Sequence, residues 1–195
     1  MEDAIHQSDN LLIIRLQATQ LEDIVERKLI YFLKTESSPS YLLDQLYKPV
    51  EQALIEAVLR WKEGNQIQTA KTLGINRNTL RKKLQIYNIN PVNLSAKPLF
   101  RVGRELFLTQ IESLDLLEVS RFKFCFIKKE QNQENNLVQK FCAPVEKTII
   151  FTVLRHFKYN QMKAAKSLGI NRNTLKKKLS VYNILWKSRR IQTGA

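Results

Sequence analysis

Residues 74–84 read GINRNTLRKKL, and residues 169–179 read GINRNTLKKKL, so the two strings differ only at Arg81 and Lys176. At the same offset, Val50, Glu51, Ile55, Val58, Leu59, Arg60, Asn65, Gln66, Ala70, Lys71 and Leu73 recur as Val145, Glu146, Ile150, Val153, Leu154, Arg155, Asn160, Gln161, Ala165, Lys166 and Leu168. A long match at fixed offset means that one supersecondary unit is used twice. The chain therefore carries two copies of one surface.

The net charge of +14 says what that surface is for. Residues 65–90 hold five cations (Lys71, Arg77, Arg81, Lys82, Lys83) and no acid, and residues 160–190 hold nine cations and no acid. Residues 1–60, by contrast, contain ten acids against six bases. Charge concentrated in the repeated segments points to an anionic polymer as partner, met twice. Cys125 and Cys142 lack the paired spacing of a zinc site and read as reduced thiols, so no metal or cofactor is expected. The apolar run 11–14 is too short to span a membrane and follows acidic residues, so the chain is expected in the cytoplasm.

The periodicity is helical through most of the first copy. Leu21, Ile24, Val25, Lys28, Leu29 and Phe32 predict a first helix that ends before Pro39. A longer helix from about Tyr41 to Glu63 follows, with a kink or break expected at Pro49 and at its equivalent Pro144. Gly64 suits a left-handed stop and Asn65 a cap; in the second copy Tyr159 and Asn160 occupy these places, which predicts a strained or reshaped junction. Residues 99–118 echo the first helix at a different offset, leaving an insertion at about 113–134. Phe122, Phe124 and Phe126 alternate with Arg121, Lys123 and Cys125, a pattern that fits either a strand pairing with 11–16 or an extended helix.

Ala70, Gly74, Ile75, Leu80 and Leu84 have helix-turn-helix spacing: alanine permits close approach, glycine makes the turn, and the aliphatic residues fasten the second helix. Projected at 3.6 residues per turn, Leu80, Leu84 and Tyr87 form the buried stripe of that helix. Its exposed side offers the chemistry of major-groove recognition, in which arginine bonds guanine, asparagine reads adenine, and threonine and lysine hold phosphates. Asn76, Arg77, Asn171 and Arg172 are the candidate base-contacting residues. Asn65, Thr79, Arg81, Lys82, Asn160, Thr174, Lys176 and Lys177 are the candidate phosphate contacts. Asn76 also reads simply as an N-cap, and Lys83 and Lys178 as peripheral.

The segment VEQALIEAVLRWKEGNQIQTAKTLGINRNTLRKKLQIYNIN at 50–90, with its repeat at 145–184, resembles the Fis family of bacterial nucleoid proteins and the Fis-type domain of NtrC-like activators. The resemblance implies a mainly α fold: tandem Fis-like four-helix repeats closing into an intramolecular pseudo-dimer, with room for a short β element. Residues 1–94 would form the first repeat, with a helix-turn-helix at about 65–89, and residues 95–195 the second, with one at about 160–184. It further implies a nucleoid-associated protein or transcription regulator that binds and bends double-stranded DNA as a monomeric pseudo-dimer. In Fis the two recognition helices stand closer together than successive major grooves, so duplexes that deform easily are preferred. The family's base contacts fall on Asn76, Arg77, Asn171 and Arg172. Asn78 and Asn173 depart from the glycine common in Fis and match NtrC-like domains, and the arm that stimulates DNA invertases is short or absent. No ATPase segment precedes either copy, which disfavours an NtrC-type activator.

An alternative keeps one copy as the DNA reader and makes the second half a protein-docking module, on account of Tyr159 and the inserted phenylalanines. An enzyme is disfavoured: the histidines are His6 and His156 only, and no phosphate loop or paired metal-binding carboxylates occur.

Overall fold

The computed structural model describes residues 20–36, 40–91, 115–124 and 135–184. Among these residues the chain is helical and has no strand. Helix α1 is Leu21–Thr35, α2 Leu42–Trp61, α3 Gln66–Leu73 and α4 Arg77–Ile86. Helix α5 is Leu116–Phe124; a π-helical turn, Val138–Cys142, leads into α6 Ala143–His156, followed by α7 Gln161–Leu168 and α8 Arg172–Val181.

Each helix follows from its pattern. In α1 the buried residues are Leu21, Ile24, Val25, Leu29 and Leu33, one helical stripe, with Glu22 and Asp23 in the first turn and Lys34 in the last, as the helix dipole favours. Helix α2 is buried more widely, through Leu42, Leu46, Val50, Ala53, Leu54, Ile55, Val58 and Leu59. A broad apolar face suits a helix packed on several sides, and α2 touches α3, α5, α6, α7 and the π turn.

The two halves exchange helices. α1 packs chiefly on α6 of the second half, while α5 packs chiefly on α2 of the first, and α2 and α6 also meet each other. Further reciprocal contacts close the exchange. A Cβ on Gly74 would lie 2.6 Å from Cα of Asn136, and one on Gly169 would lie 2.9 Å from Cα of Tyr41. Tyr41 and Asn136 occupy equivalent places just ahead of α2 and the π turn, both with left-handed backbone (φ 56° and 71°). Each helix-turn-helix glycine is thus seated on the other half, which is the intramolecular pseudo-dimer expected from the repeat.

Several local expectations need correction. The helix standing in the place of α1 is α5, at the same offset as the rest of the repeat, and not the 99–118 segment, most of which lies outside the described residues. Leu21, Ile24 and Leu29 correspond to Leu116, Val119 and Phe124. The alternating phenylalanines do not make a strand over 121–124: Phe122 and Phe124 are buried on α5, and Phe124 meets Phe141 edge to face at 5.6 Å. Residues 125–126, like 11–16, lie outside the described residues. Over 121–124 the helical alternative holds: the alternation of Phe122 and Phe124 with basic residues fits a helix packed over much of its surface as well as it fits a strand.

The prolines behave differently in the two copies. Helix α2 runs unbroken through Pro49. In the second copy the backbone N–H of Ala143 reaches back five residues to Val138 O, so the π turn takes up the irregularity before Pro144, which sits in the first turn of α6.

Candidate nucleic-acid interface

Each helix-turn-helix is assembled by backbone capping. Gly64 has φ 80° and its N–H donates to Leu59 O at 2.8 Å, closing α2. Tyr159 reproduces this geometry, with φ 63° and an N–H to Leu154 O bond of 2.7 Å. The junction therefore keeps its shape, and tyrosine bears the cost of the left-handed backbone, about 1–2 kcal/mol. Asn65 Oδ1 then accepts from the N–H groups of Ile67 and Gln68, both at 3.1 Å, and Asn160 Oδ1 does the same for Met162 and Lys163.

Helix α3 ends at Gly74, φ 75°, and α7 at Gly169, φ 74°. The recognition helices begin two residues later, where Asn76 Oδ1 accepts from Thr79 N and Asn171 Oδ1 from Thr174 N, each at 2.7 Å. Asn76 and Asn171 are thus N-caps. An amide that caps through its oxygen still has its NH₂ donors, so capping leaves each residue able to donate to a ligand.

Leu80 and Leu84 in α4, and Leu175 and Leu179 in α8, are buried; Tyr87 and Tyr182 are half-buried. Asn65, Asn76, Arg77, Arg81 and Lys82 are exposed, as are Asn160, Asn171, Arg172, Lys176 and Lys177; Thr79 and Thr174 are half-buried. Among the described residues no carboxylate pairs with Arg77, Arg81, Lys82, Arg172, Lys176 or Lys177. These charges stay with solvent, where an anion can reach them.

Lys83 and Lys178 differ. Lys83 Nζ donates to Glu51 at 2.6 Å, the Tyr87 hydroxyl donates to the same carboxylate, and the Tyr47 hydroxyl donates to its other oxygen at 3.2 Å. Lys178 Nζ and the Tyr182 hydroxyl both donate to Glu146, the lysine at 2.6 Å. Glu51 is 3% exposed and Glu146 8%, so each is a buried acid held by the recognition helix of its own half. Burial, with these glutamates close by, pushes the hydroxyls of Tyr47, Tyr87 and Tyr182 well above their ordinary ionisation range. Counting acids only within residues 65–90 missed this network, because its acid comes from α2. The available signal was Glu51 itself, the one acid among those repeat matches.

No described helix is long and apolar enough to cross a membrane. Among the described residues no cluster of three His, Cys, Asp or Glu could hold a metal ion.

Comparison with known proteins agrees with this geometry. The family model described as bacterial regulatory protein, Fis family, matches residues 48–87 and again residues 141–182. A putative Fis-like DNA-binding protein of Ralstonia nicotianae is 46% identical over 52 residues, covering 27% of this chain and 68% of the relative. DNA-binding protein Fis of Yersinia enterocolitica is 41% identical over 78 residues, 38% of this chain and 80% of the relative. Its counterpart in Buchnera aphidicola is 36% identical over 70 residues, 35% of this chain and 71% of the relative. No solved structure matches the chain. With a helix-turn-helix of this kind in each half, the chain belongs to the Fis family, as a tandem member.

Proposed function

We propose that this protein binds double-stranded DNA with both halves at once and bends it, acting in nucleoid organisation or transcription regulation within the cytoplasm. One observation carries the reading: two recognition helices of nearly identical sequence, capped identically and each presenting exposed cations that no described carboxylate pairs, are fixed to one exchanged-helix frame. Residues 1–94 and 95–195 each supply one reader, and a single chain occupies one site. Asn76, Arg77, Asn171 and Arg172 approach base edges. Asn65, Thr79, Arg81, Lys82, Asn160, Thr174, Lys176 and Lys177 hold phosphates. With the two readers closer together than successive major grooves, as the resemblance to Fis implies, a duplex bends to meet both.

The second-half docking alternative is less well supported, since Tyr159 holds the same loop conformation as Gly64 and leaves the second reader undistorted. Titration of a short duplex, followed by fluorescence anisotropy at several salt concentrations, tests the proposal. The expected result is one chain per site and a log-log salt slope of about −0.9 for each phosphate neutralised. A flat salt dependence, or no binding to any duplex, would overturn it.

A further inference from the structure

The two exchanged-helix contacts carry opposite charge arrangements. On the first-half side, Arg121 of α5 donates to Glu56 of α2 through Nε at 2.8 Å and Nη2 at 3.0 Å, while its Nη1 donates to Glu118. Glu56 is 5% exposed and also accepts from Gln52 Nε2 at 2.9 Å. On the second-half side the signs reverse. Glu26 of α1 accepts from Thr152 Oγ1 at 3.1 Å and lies 3.6 Å from Arg155 Nη2 on α6. In the repeat, Glu26 corresponds to Arg121, Glu56 to Phe151, and Arg60 to Arg155.

This arrangement matches only when opposite halves meet. With α1 laid on α2, as two first halves would place it, Glu26 would face Glu56. Arg60, one turn along α2 and already within electrostatic reach of Glu56, would still be at hand, but buried Glu56 would have exchanged the guanidinium hydrogen-bonded to it for a like charge. With α5 laid on α6, Arg121 would face Phe151 and Arg155, an apolar ring and a like charge. A buried charge stripped of its partner is strongly unfavourable, and like charges brought together add to the penalty. We infer that the exchanged-helix surfaces are a pairing code: each fits the opposite half of this chain and rejects a second copy of its own half. The code steers the chain toward closing on itself, since the opposite half is tethered at high effective concentration.

This inference rests on the one-chain reading of the clamp, and its test needs no DNA. Light scattering on the full chain gives the mass, and calorimetry gives the unfolding midpoint. The wild type is expected at one chain, 22.9 kDa. The double variant Glu56→Arg with Phe151→Glu matches each half to itself and sets like charges between opposite halves. It is expected to shift toward two-chain species, or to lose midpoint where closure persists. Independently, Arg121→Glu alone is expected to lower the midpoint by roughly 6–12 °C, and adding Glu56→Arg to recover at least half of that loss. Recovery supports the code even if the first variant fails to fold. A one-chain Glu56→Arg/Phe151→Glu protein with wild-type midpoint would overturn it, as would a charge-swapped pair no more stable than Arg121→Glu. A two-chain wild type would instead refute the one-chain clamp, leaving the swap to decide the code.

Discussion

The ammonium of Lys83 lies 2.6 Å from the carboxylate of Glu51, thirty-two positions earlier in the chain, and Lys178 stands at the same distance from Glu146. These two pairs tie the recognition helices to the buried helices beneath them. Glu51→Ala leaves the Tyr87 hydroxyl and the Lys83 ammonium without that acceptor. Losing one partner of a buried pair costs about 3–5 kcal/mol. The Lys83 side chain is 25% exposed and partly solvated, so we expect about 2–3 kcal/mol here. Urea unfolding measures this loss, and Glu146→Ala should show one of similar size.

Neighbouring lysines should separate into two kinds. Lys82→Gln removes an exposed charge and is expected to leave stability within about 0.5 kcal/mol while reducing the salt slope of DNA binding by about 1. Lys83→Gln is expected to do the reverse, lowering stability and sparing the slope. Equal effects of the two changes on the slope would contradict the assignment.

Arg77→Ala and Arg172→Ala are each expected to weaken binding by about 1–3 kcal/mol and to relax base preference at the positions they read. Competition titrations with altered duplexes measure both effects. If one of the two changes leaves affinity and base preference untouched, the half that carries it is not a reader.

Gly74→Ala should be severe. The residue has φ 75°, and an added Cβ would lie 2.1 Å from Asn136 Oδ1 and 2.6 Å from its Cα. Left-handed backbone costs about 1–2 kcal/mol and overpacking about 1–3 kcal/mol, so the loss is expected near 2–5 kcal/mol. Gly64→Ala, whose Cβ would lie 3.3 Å from Pro91 O, is expected to lose only about 1–2 kcal/mol. Thermal melts of both variants would show whether the cross-half contact sets the difference.

Alkali should unfold the protein early. Burial and neighbouring glutamates raise the pKa of Tyr47, Tyr87 and Tyr182 above the ordinary 10.0, so the folded state keeps protons that the unfolded chain releases. Their contribution is fully present below about pH 10 and is lost as the pH rises above it. Melting midpoints measured between pH 9 and 11 should fall, and Tyr182→Phe should flatten the fall.

Local structure was legible wherever a residue type acts on its own backbone. Asn65, Asn76, Asn160 and Asn171 cap helices, Gly64 and Gly74 turn left-handed, and Leu80 and Leu84 face inward, all as the repeat's spacing indicated. The candidate interface was legible for the same reason, because exposed cations on a short amphipathic helix are a local pattern. Glu51 with Lys83 was not legible, since its partners are separated by a helix and a turn and only packing brings them together. Phe122 and Phe124 left strand and helix both open, because aromatic alternation looks the same on a strand and on a buried helix.

The sequence by itself determined that there are two units, that both are helical, and that each ends in a basic helix-turn-helix, since periodicity, capping and repetition are properties of adjacent residues. Only the tertiary structure decided that α1 belongs on α6 and α5 on α2. That choice rests on buried contacts between distant residues, Glu56 with Arg121 and Gly74 with Asn136, whose energies exist only once the helices have met.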